Sequence, residues 1–231
     1  MGILLRTRAA GEVEQMDRAD CDARLLDNTY RQFWVINRML SGWRGLYRTE
    51  LRTITAAQQR PLTVLDVGSG GGDLAVMLAR WAKRDGLPIH VTGIDPDPRA
   101  ASFARRRPPT PGVDFRQAHS GDLVREGARF DVVISNHVLH HLEPAELREL
   151  LADSEILATR KSLHNDLIRS PAAFAFFGVA ALPFRKSYIR EDGLTSIRRS
   201  YTHAELAASA PPGWSVERPS AFHQVLACRR D

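Results

Sequence analysis

A glycine-rich turn at residues 62–73 (LTVLDVGSGGGD) combines two acidic side chains, Asp66 and Asp73, with four glycines. Its first four residues are aliphatic or β-branched, which predicts a buried parallel strand. The apolar spacing after the turn predicts a helix with Asp73 at its N-cap. Glycines let a backbone approach a ligand closely, because no side chain intervenes and positive φ angles are accessible. The stretch therefore predicts a nucleotide-binding strand, turn and helix.

The order of acidic residues and glycines distinguishes between two kinds of ligand. A dinucleotide site uses G-x-G-x-x-G with a pyrophosphate at the helix N-terminus, whereas residues 66–72 follow D-x-G-x-G-x-G. Asp66 would repel a pyrophosphate but would pair with a ligand ammonium group. A second predicted strand, IHVTGID, ends at Asp95, the position at which a carboxylate binds a ribose diol. A ribose together with an amino-acid ammonium group indicates S-adenosylmethionine rather than NAD.

Three segments in this order resemble the main motifs of class I S-adenosylmethionine-dependent methyltransferases: residues 66–72 (DVGSGGG), 93–95 (GID) and 130–142 (FDVVISNHVLHHL). The resemblance covers roughly residues 60–160. It implies an α/β Rossmann-like fold, with a seven-stranded, mostly parallel sheet, helices on both faces and a C-terminal antiparallel hairpin. Three outer segments (GEVEQMDRADCDARLLDNTYRQFWVINRML, HNDLIRS and EDGLTSIRRSYTHAEL) resemble a bacterial group of small methyltransferases associated with phenolic or polyketide metabolism.

The cofactor is expected at the carboxyl ends of the first four strands. In the family, an acidic residue after the third strand usually accepts a hydrogen bond from the adenine amino group. His119 occupies that position here, and Asp122 follows three residues later. Asp122 could take the role through a shifted loop, His119 could replace it, or backbone groups could suffice. The predicted cofactor-binding residues are Asp66, Gly68, Ser69, Gly70, Gly72, Asp73, Asp95, Pro96, His119, Ser120, Asn136 and His137.

Three histidines follow the fourth strand. His137, His140 and His141 are spaced i, i+3 and i+4, which predicts one face of a helical turn. They could be metal ligands, but no HExxH-type acid accompanies them in the sequence, so no metal is predicted. A general base for a phenolic proton is the second use, because imidazole titrates near neutrality, and a structural role is the third. The resemblance implies a structural role for His141 and leaves His140 and His137 as the catalytic candidates.

The acceptor is expected to contact three separate segments. A fifth strand beginning near Arg160 ends in polar residues, and the resemblance assigns its Asn-Asp pair to the acceptor side; the alternative is that the pair caps a helix beginning near Ser170. Residues 171–184 (PAAFAFFGVAALPF) are the most apolar stretch, suited to a lid, a buried helix or a dimer contact. Aromatic residues of an N-terminal helix at 23–40 either line the acceptor pocket or pack on the sheet. The predicted substrate-binding residues are Tyr30, Trp34, Asn165, Asp166, Arg169, Phe174 and Phe177.

We predict two regions in the chain. Residues 1–58 form an N-terminal helical cap segment, whose second helical piece runs from about Trp43 to Gln58. Residues 59–231 form the methyltransferase domain, with a lid insertion at about 170–200 and an antiparallel strand pair at 214–218 and 222–228 that contains the one reversed strand.

Composition narrows the function. The 231 residues carry a net charge of +5 and a pI near 9.7, which fits a nucleic-acid partner or an arginine-rich solvated surface. Because acidic residues are interspersed among the basic ones, the charge pattern favours a solvated surface over a nucleic-acid partner. Two distant cysteines, no signal-peptide core and no apolar run long enough for a bilayer predict a cytoplasmic protein without a membrane span.

The predicted reaction is O-methylation of a small hydrophobic phenolic or polyketide-type acceptor, with a homodimer as a possible assembly. The alternatives are C-methylation of a similar ring, RNA methylation and non-catalytic S-adenosylmethionine binding. RNA methylation is disfavoured because Ser135-Asn136-His137-Val138 stands where amino-group methylators of nucleic acids carry N/D-P-P-Y/F.

Overall fold

The sheet has seven strands in the order β3-β2-β1-β4-β5-β7-β6. The computed structural model describes residues 5–57 and 60–230. The strands are β1 (Leu62–Val67), β2 (Ile89–Asp95), β3 (Val113–Gln117), β4 (Phe130–Asn136), β5 (Ala158–Leu167), β6 (Trp214–Glu217) and β7 (His223–Arg229). Strand β7 runs in the direction opposite to the other six strands. The predicted mostly parallel sheet with one reversed strand near the C-terminus is confirmed.

Helices cover both faces of this sheet, because alternate residues of its central strands point in opposite directions. Val64 of β1 belongs to a buried cluster with α4, and its neighbour Leu65 belongs to a second cluster with α7 and α10. The helices are α1 (Ala23–Leu40), α2 (Trp43–Leu46), α3 (Arg52–Ala56), α4 (Asp73–Arg84), α5 (Pro98–Arg105), α6 (Ser120–Arg125), α7 (Pro144–Leu157), α8 (Pro171–Ala180), α9 (Ile189–Arg199) and α10 (His203–Ser209).

The N-terminal region is helical, as predicted. Asp22 caps α1 by accepting hydrogen bonds from two backbone N–H groups of its first turn. A π-helical stretch, Tyr47–Leu51, joins α2 to α3 in one helical run. The run continues to Ala56; Gln58, its predicted end, and the predicted boundary at residues 58–59 lie outside the described residues. The division into a cap segment and a methyltransferase domain therefore stays a prediction.

Three local predictions were wrong. Gly72, in the left-handed conformation, holds the N-cap position of α4, and Asp73 is the first helical residue. The histidines do not share one helical turn, because His137 has a φ of 58° and the following 3-10 turn begins only at Leu139. The Asn165-Asp166 pair does not cap the following helix, because β5 continues to Leu167 with both residues paired inside the sheet, and Ser170 caps α8 by accepting from Ala173 N–H.

The strand order decides where a ligand can bind. The strand β1 has β2 on one side and β4 on the other, so the loops that leave β1 and β4 diverge at the carboxyl edge. The insertion contributes α8 and α9, which pack against each other near that edge. Within the described residues, every helix is too short or too polar to cross a bilayer.

Candidate active site

A cavity of about 520 Å³ opens at the carboxyl edge of the sheet. We call its first region the acidic part. It is lined by four acids at or just after the carboxyl ends of β1 and β2: Asp66, Asp73, Asp95 and Asp97. We call its second region the aromatic part, which Phe33, Phe176, Phe177 and Phe222 line from α1, the insertion and the loop before β7. One cavity therefore joins charged and apolar surfaces, as a ligand site usually does.

The glycine turn shapes the acidic part. Gly68 and Gly70 have φ angles of 66° and 53°, which residues with a side chain rarely adopt. A Cβ atom on Gly68 would lie 2.6 Å from Val138 Cγ2, so the turn also needs the small residue for packing. Asp95 holds the turn in place: Gly70 N–H donates to its Oδ2 at 2.8 Å, and Asp97 N–H donates to its Oδ1 at 2.9 Å.

Negative charge accumulates in the acidic part: Arg99 pairs with Asp97 at 2.7 Å and the charge of Arg107 acts on Asp73, but Asp66 and Asp95 have no ion-pair partner among the described residues. Burial is the largest cause that raises the pKa of Asp66, Asp73 and Asp95, and the charges of the other two acids raise that of Asp66 further. Asp66 Oδ2 is buried and has no hydrogen-bond partner within the described chain. Among described residues, the cavity lining contains no lysine or arginine. The acidic part thus fits a ligand with a positively charged group, such as the ammonium and sulfonium of S-adenosylmethionine.

Most of the predicted cofactor residues line the cavity: Asp66, Gly68, Ser69, Gly70, Asp73, Asp95, Pro96, Asn136 and His137. Gly72, His119 and Ser120 are not among the lining residues. Gly72 faces the Phe115 ring, which leaves no space for a side chain. His119 donates its backbone N–H to Asp122 Oδ2 at 2.8 Å, and Ser120 Oγ donates to Asp153 Oδ2 at 2.6 Å. Which group contacts adenine stays a prediction.

The predicted aromatic acceptor residues divide into two groups. Tyr30 and Phe177 line the cavity, and Tyr30 lies against Gly71 of the glycine turn. Trp34 packs on the main core and carries the Arg80 guanidinium 4.9 Å above its ring. Phe174 packs in one small cluster with the lining residues Phe177 and Phe222 but does not itself line the cavity. Phe33, one of the helix aromatics weighed between pocket lining and sheet packing, lines the cavity. The sequence missed Phe222 as a lining residue, because a phenylalanine carries no local signal that separates cavity lining from core.

The polar acceptor candidates lie behind the cavity lining. Asn165 Nδ2 donates to Ser41 O at 3.0 Å and to Asn136 Oδ1 at 2.9 Å. Arg169 donates to backbone carbonyls of the N-terminal segment and of the loop after α9, and its Nη2 donates to Glu205 Oε1 at 2.6 Å. Both side chains are buried and occupied, so the structure uses them to hold neighbouring segments together.

Asp166 orients His140. The carboxylate accepts from the His140 backbone N–H at 2.8 Å and lies 2.7 Å from its Nδ1. On the other side, His140 Nε2 lies 3.3 Å from Glu14 Oε1, close enough for an ion pair but not aligned for a hydrogen bond. Burial opposes the charged ring, yet the two carboxylates raise the pKa of His140 to about 9. Burial also opposes the charge of Glu14, but His141 and His140 lower its pKa to about 2.

A second histidine pair lies in the same cavity. His137 and His223 stack with their ring centroids 5.5 Å apart and their Nε2 atoms 3.3 Å apart. Burial is the main cause that lowers the pKa of His137 to about 3 and that of His223 to about 4. Both rings are therefore neutral at physiological pH, and the ring that donates across the Nε2–Nε2 contact keeps its Nδ1 as a hydrogen-bond acceptor.

Comparisons with known proteins agree with this geometry. Residues 64–157 match the family model described as a methyltransferase domain. A ubiquinone biosynthesis O-methyltransferase of Cereibacter sphaeroides is 34% identical over 127 residues, which are 52% of this chain and 47% of the relative. Its counterpart from a Methylobacterium species is 37% identical over 83 residues, 35% of this chain and 31% of the relative. The chain thus spans about half the length, or less, of these curated relatives.

Solved structures share the fold across most of the chain. The plantazolicin methyltransferase BpumL, in complex with S-adenosylhomocysteine, has a TM-score of 0.60 at 15% identity, covering 89% of this chain and 96% of its own. The magnesium protoporphyrin IX methyltransferase of Synechocystis PCC 6803, with bound S-adenosylmethionine, has a TM-score of 0.50 at 18% identity, covering 93% and 100%. The three ordered motifs, the sheet order and the methyltransferase domain matched over residues 64–157 together support a class I S-adenosylmethionine-dependent methyltransferase.

Proposed function

We propose that this protein transfers a methyl group from S-adenosylmethionine to a hydroxyl oxygen of a small hydrophobic acceptor of the phenolic or polyketide type. The observation that carries the proposal is the single cavity that joins the acidic part to the aromatic part. A methyl donor with positive charge and an apolar acceptor would each find a complementary surface there. The relatives named ubiquinone biosynthesis O-methyltransferase support oxygen as the methylated atom.

The residues of the acidic part bind and orient in this proposal. Asp66 pairs with the ammonium group, Asp95 accepts hydrogen bonds from the ribose diol, and Gly68 and Gly70 let the backbone approach. When bound, S-adenosylmethionine supplies an electrophilic methyl group on a sulfonium. The enzyme then needs proximity and alignment more than covalent help, and holding two reactants in line accounts for much of such an acceleration.

The two predicted catalytic histidines, His137 and His140, have different roles in this proposal. His137 lines the cavity, and its ring has no carboxylate partner in the described part of the chain, so we assign it the hydrogen bond from the acceptor hydroxyl. His140 is held by Asp166 and faces Glu14, so we assign it a place in the polar group around the acceptor oxygen. The neutral ring of His223, which the sequence did not single out, supports His137 from the other side.

The size and lining of the cavity also favour a small acceptor over RNA. A cavity volume of about 520 Å³ has room for part of the cofactor together with a small aromatic molecule, but not for a segment of a polymer. An RNA substrate would favour lysine or arginine side chains near the reacting base, and the described lining contains neither. C-methylation of a similar ring differs only in the atom that faces the donor. A cytoplasmic location and a homodimer stay predictions from the sequence.

The experiment starts with the cofactor. Calorimetric titration with S-adenosylhomocysteine should show one site, lost in Asp95→Ala and kept in Asp114→Ala, whose side chain is 68% exposed on β3. Labelled S-adenosylmethionine is then offered with a panel of phenols and, in parallel, with RNA. Transfer to phenols, with the methyl on oxygen by NMR, supports the proposal. Carbon-bound methyl, transfer to RNA, or cofactor binding without transfer would each select the matching alternative.

A further inference from the structure

One side-chain cluster in the cavity is not explained by methyl transfer alone. Glu14, His140 and His141 each offer one ligand atom, and these atoms all lie within 4.8 Å of one another. Glu14 Oε1 is 3.3 Å from His140 Nε2 and 3.8 Å from His141 Nε2. All three residues line the cavity, although Glu14 comes from the N-terminal segment and the histidines from the turn after β4.

Each of the two histidines has an aspartate carboxylate close to its other ring nitrogen, Nδ1. Asp166 Oδ1 lies 2.7 Å from His140 Nδ1, and Asp17 Oδ2 lies 3.1 Å from His141 Nδ1. This arrangement is typical of metal-ligating histidines, because the outer carboxylate fixes the tautomer that leaves Nε2 free for the metal. His140 Nε2 is indeed buried without a hydrogen-bond partner in the described structure.

The spacing fits a small divalent ion. Zn–N and Zn–O bonds of about 2.0–2.2 Å in a tetrahedral site separate neighbouring ligand atoms by about 3.3–3.5 Å. The separations from Glu14 Oε1 are 3.3 and 3.8 Å, and all three ligand atoms lie within 4.8 Å of one another, so side-chain movements of about 1 Å would close the set around an ion. Two imidazole nitrogens and one carboxylate oxygen are the ligand types of zinc and related borderline metals.

Charge favours a cation at this point. Glu14 and Asp166 are both buried, and Asp17 adds a third carboxylate to the two imidazoles. Arg199 approaches Asp17 at 3.8 Å on the outer side. A divalent ion between the two Nε2 atoms and Glu14 would balance the remaining negative charge where water has limited access.

We propose that Glu14, His140 and His141 bind one divalent transition-metal ion of the zinc class, with its fourth position open to the cavity. Its use rests on the proposed function: the acceptor hydroxyl oxygen would take the open position, and its proton would leave to solvent. The oxygen–carbon bond would then form as the sulfur–carbon bond breaks, with that electron pair remaining on sulfur. The ion would supply the positive charge that holds the acceptor oxygen as an anion.

The test measures metal binding directly. Protein stripped with EDTA and dialysed is titrated with Co²⁺, whose visible absorption reports a tetrahedral N/O site, and Zn²⁺ is added in competition. We expect one equivalent per chain, with affinity at least about 10-fold weaker in Glu14→Gln and in His141→Ala. His90→Ala is the matched control, because that histidine is exposed and paired with Asp114 at the far edge of the sheet. We avoid His140 variants, since its complete burial endangers folding.

Two results would overturn the inference: no saturable Co²⁺ or Zn²⁺ binding, or binding that both variants retain unchanged. In either case the cluster is an ion pair between imidazole and carboxylate. The same samples are titrated with S-adenosylhomocysteine, which does not need the metal ligands. Loss of that binding in the unmodified protein contradicts the proposed function, whereas cofactor binding without metal binding contradicts only the metal site.

Discussion

The substitution Asp66→Asn should have opposite effects on ligand affinity and on the stability of the ligand-free protein. Asp66 is 1% exposed, and its Oδ2 has no hydrogen-bond partner among the described residues. Burial, followed by the charges of Asp73 and Asp95, raises its pKa well above the ordinary value. The carboxylate is therefore costly to bury until a ligand brings a positive charge to it.

The affinity change follows from the lost charge pairing. A hydrogen bond to a charged group contributes about 1.5–3 kcal/mol, and about 1.4 kcal/mol corresponds to a tenfold change in affinity. Asparagine keeps the size of the side chain but cannot pair with an ammonium group as an anion. We therefore expect S-adenosylhomocysteine to bind roughly 10- to 100-fold more weakly to Asp66→Asn.

The stability change has the opposite sign. An acid with a raised pKa binds more protons in the folded than in the unfolded state, so the stability of the protein falls as pH rises above the unfolded pKa, near 3.9. Asparagine does not titrate, so the variant does not lose this stability as pH rises. We expect the variant to be more stable by about 1 kcal/mol at a pH of about 8, which is a melting temperature about 2–4 °C higher for a chain of this size. The difference should vanish near pH 4.

Calorimetric titration and thermal denaturation at pH values of about 5 and 8 measure both effects. Asp114→Asn serves as the control, because its side chain is 68% exposed and should change neither quantity. An unchanged affinity in Asp66→Asn would refute the pairing of Asp66 with the ligand ammonium. A lower melting temperature at the higher pH would refute the inference that this carboxylate destabilises the ligand-free protein.

Three further changes test the lid, the sheet and the N-terminal segment. Phe177→Ala should raise the acceptor KM and leave S-adenosylhomocysteine binding unchanged, because the ring lines the aromatic part; Val179→Ala, 69% exposed on the same helix, should leave both values as they are. Gly93→Ala should lower stability by about 1–3 kcal/mol in a denaturant titration, since its Cβ would lie 2.8 Å from Phe115 and 2.9 Å from Ser69 Oγ; Gly45→Ala, with open space around it, should not. Burial raises the pKa of Asp192 to about 7, so the unmodified protein should lose stability between pH values of about 4 and 7, and Asp192→Asn should lose less over that range in thermal melts; parallel curves would contradict the shift.

The sheet and the cofactor chemistry were accessible from the sequence because both depend on local patterns. The apolar run of β1, the glycine turn and the apolar periodicity of α4 are consecutive in the chain, and each follows a rule of short range. The carboxylates after β1 and β2 have positions that the strand ends alone define. The family resemblance then supplied the seven-stranded, mostly parallel sheet with one reversed strand, which periodicity alone cannot give.

The acceptor side was predicted less well, because its chemistry depends on which buried surface a side chain meets. Asn165, Asp166 and Arg169 are the polar residues expected at and just after the carboxyl end of β5, but the strand continues one residue past Asp166 and pairs with β7, so Asn165 and Asp166 lie buried within the sheet. Arg169 is occupied by backbone carbonyls and Glu205. Strand length is set by pairing with a partner some 60 residues away, which no local pattern reports.

The sequence by itself determined the fold class, the glycine turn and the pair of acids, Asp66 and Asp95, that suit a cationic nucleoside ligand. Only the tertiary structure brought Glu14 to His140 and His141, across more than a hundred residues of chain. The sequence contains the histidine spacing but not the third group, because the N-terminal segment that carries Glu14 has no periodicity of its own. Long-range packing, with Asp192 accepting the backbone N–H groups of Gln15 and Met16, decides where that carboxylate lies.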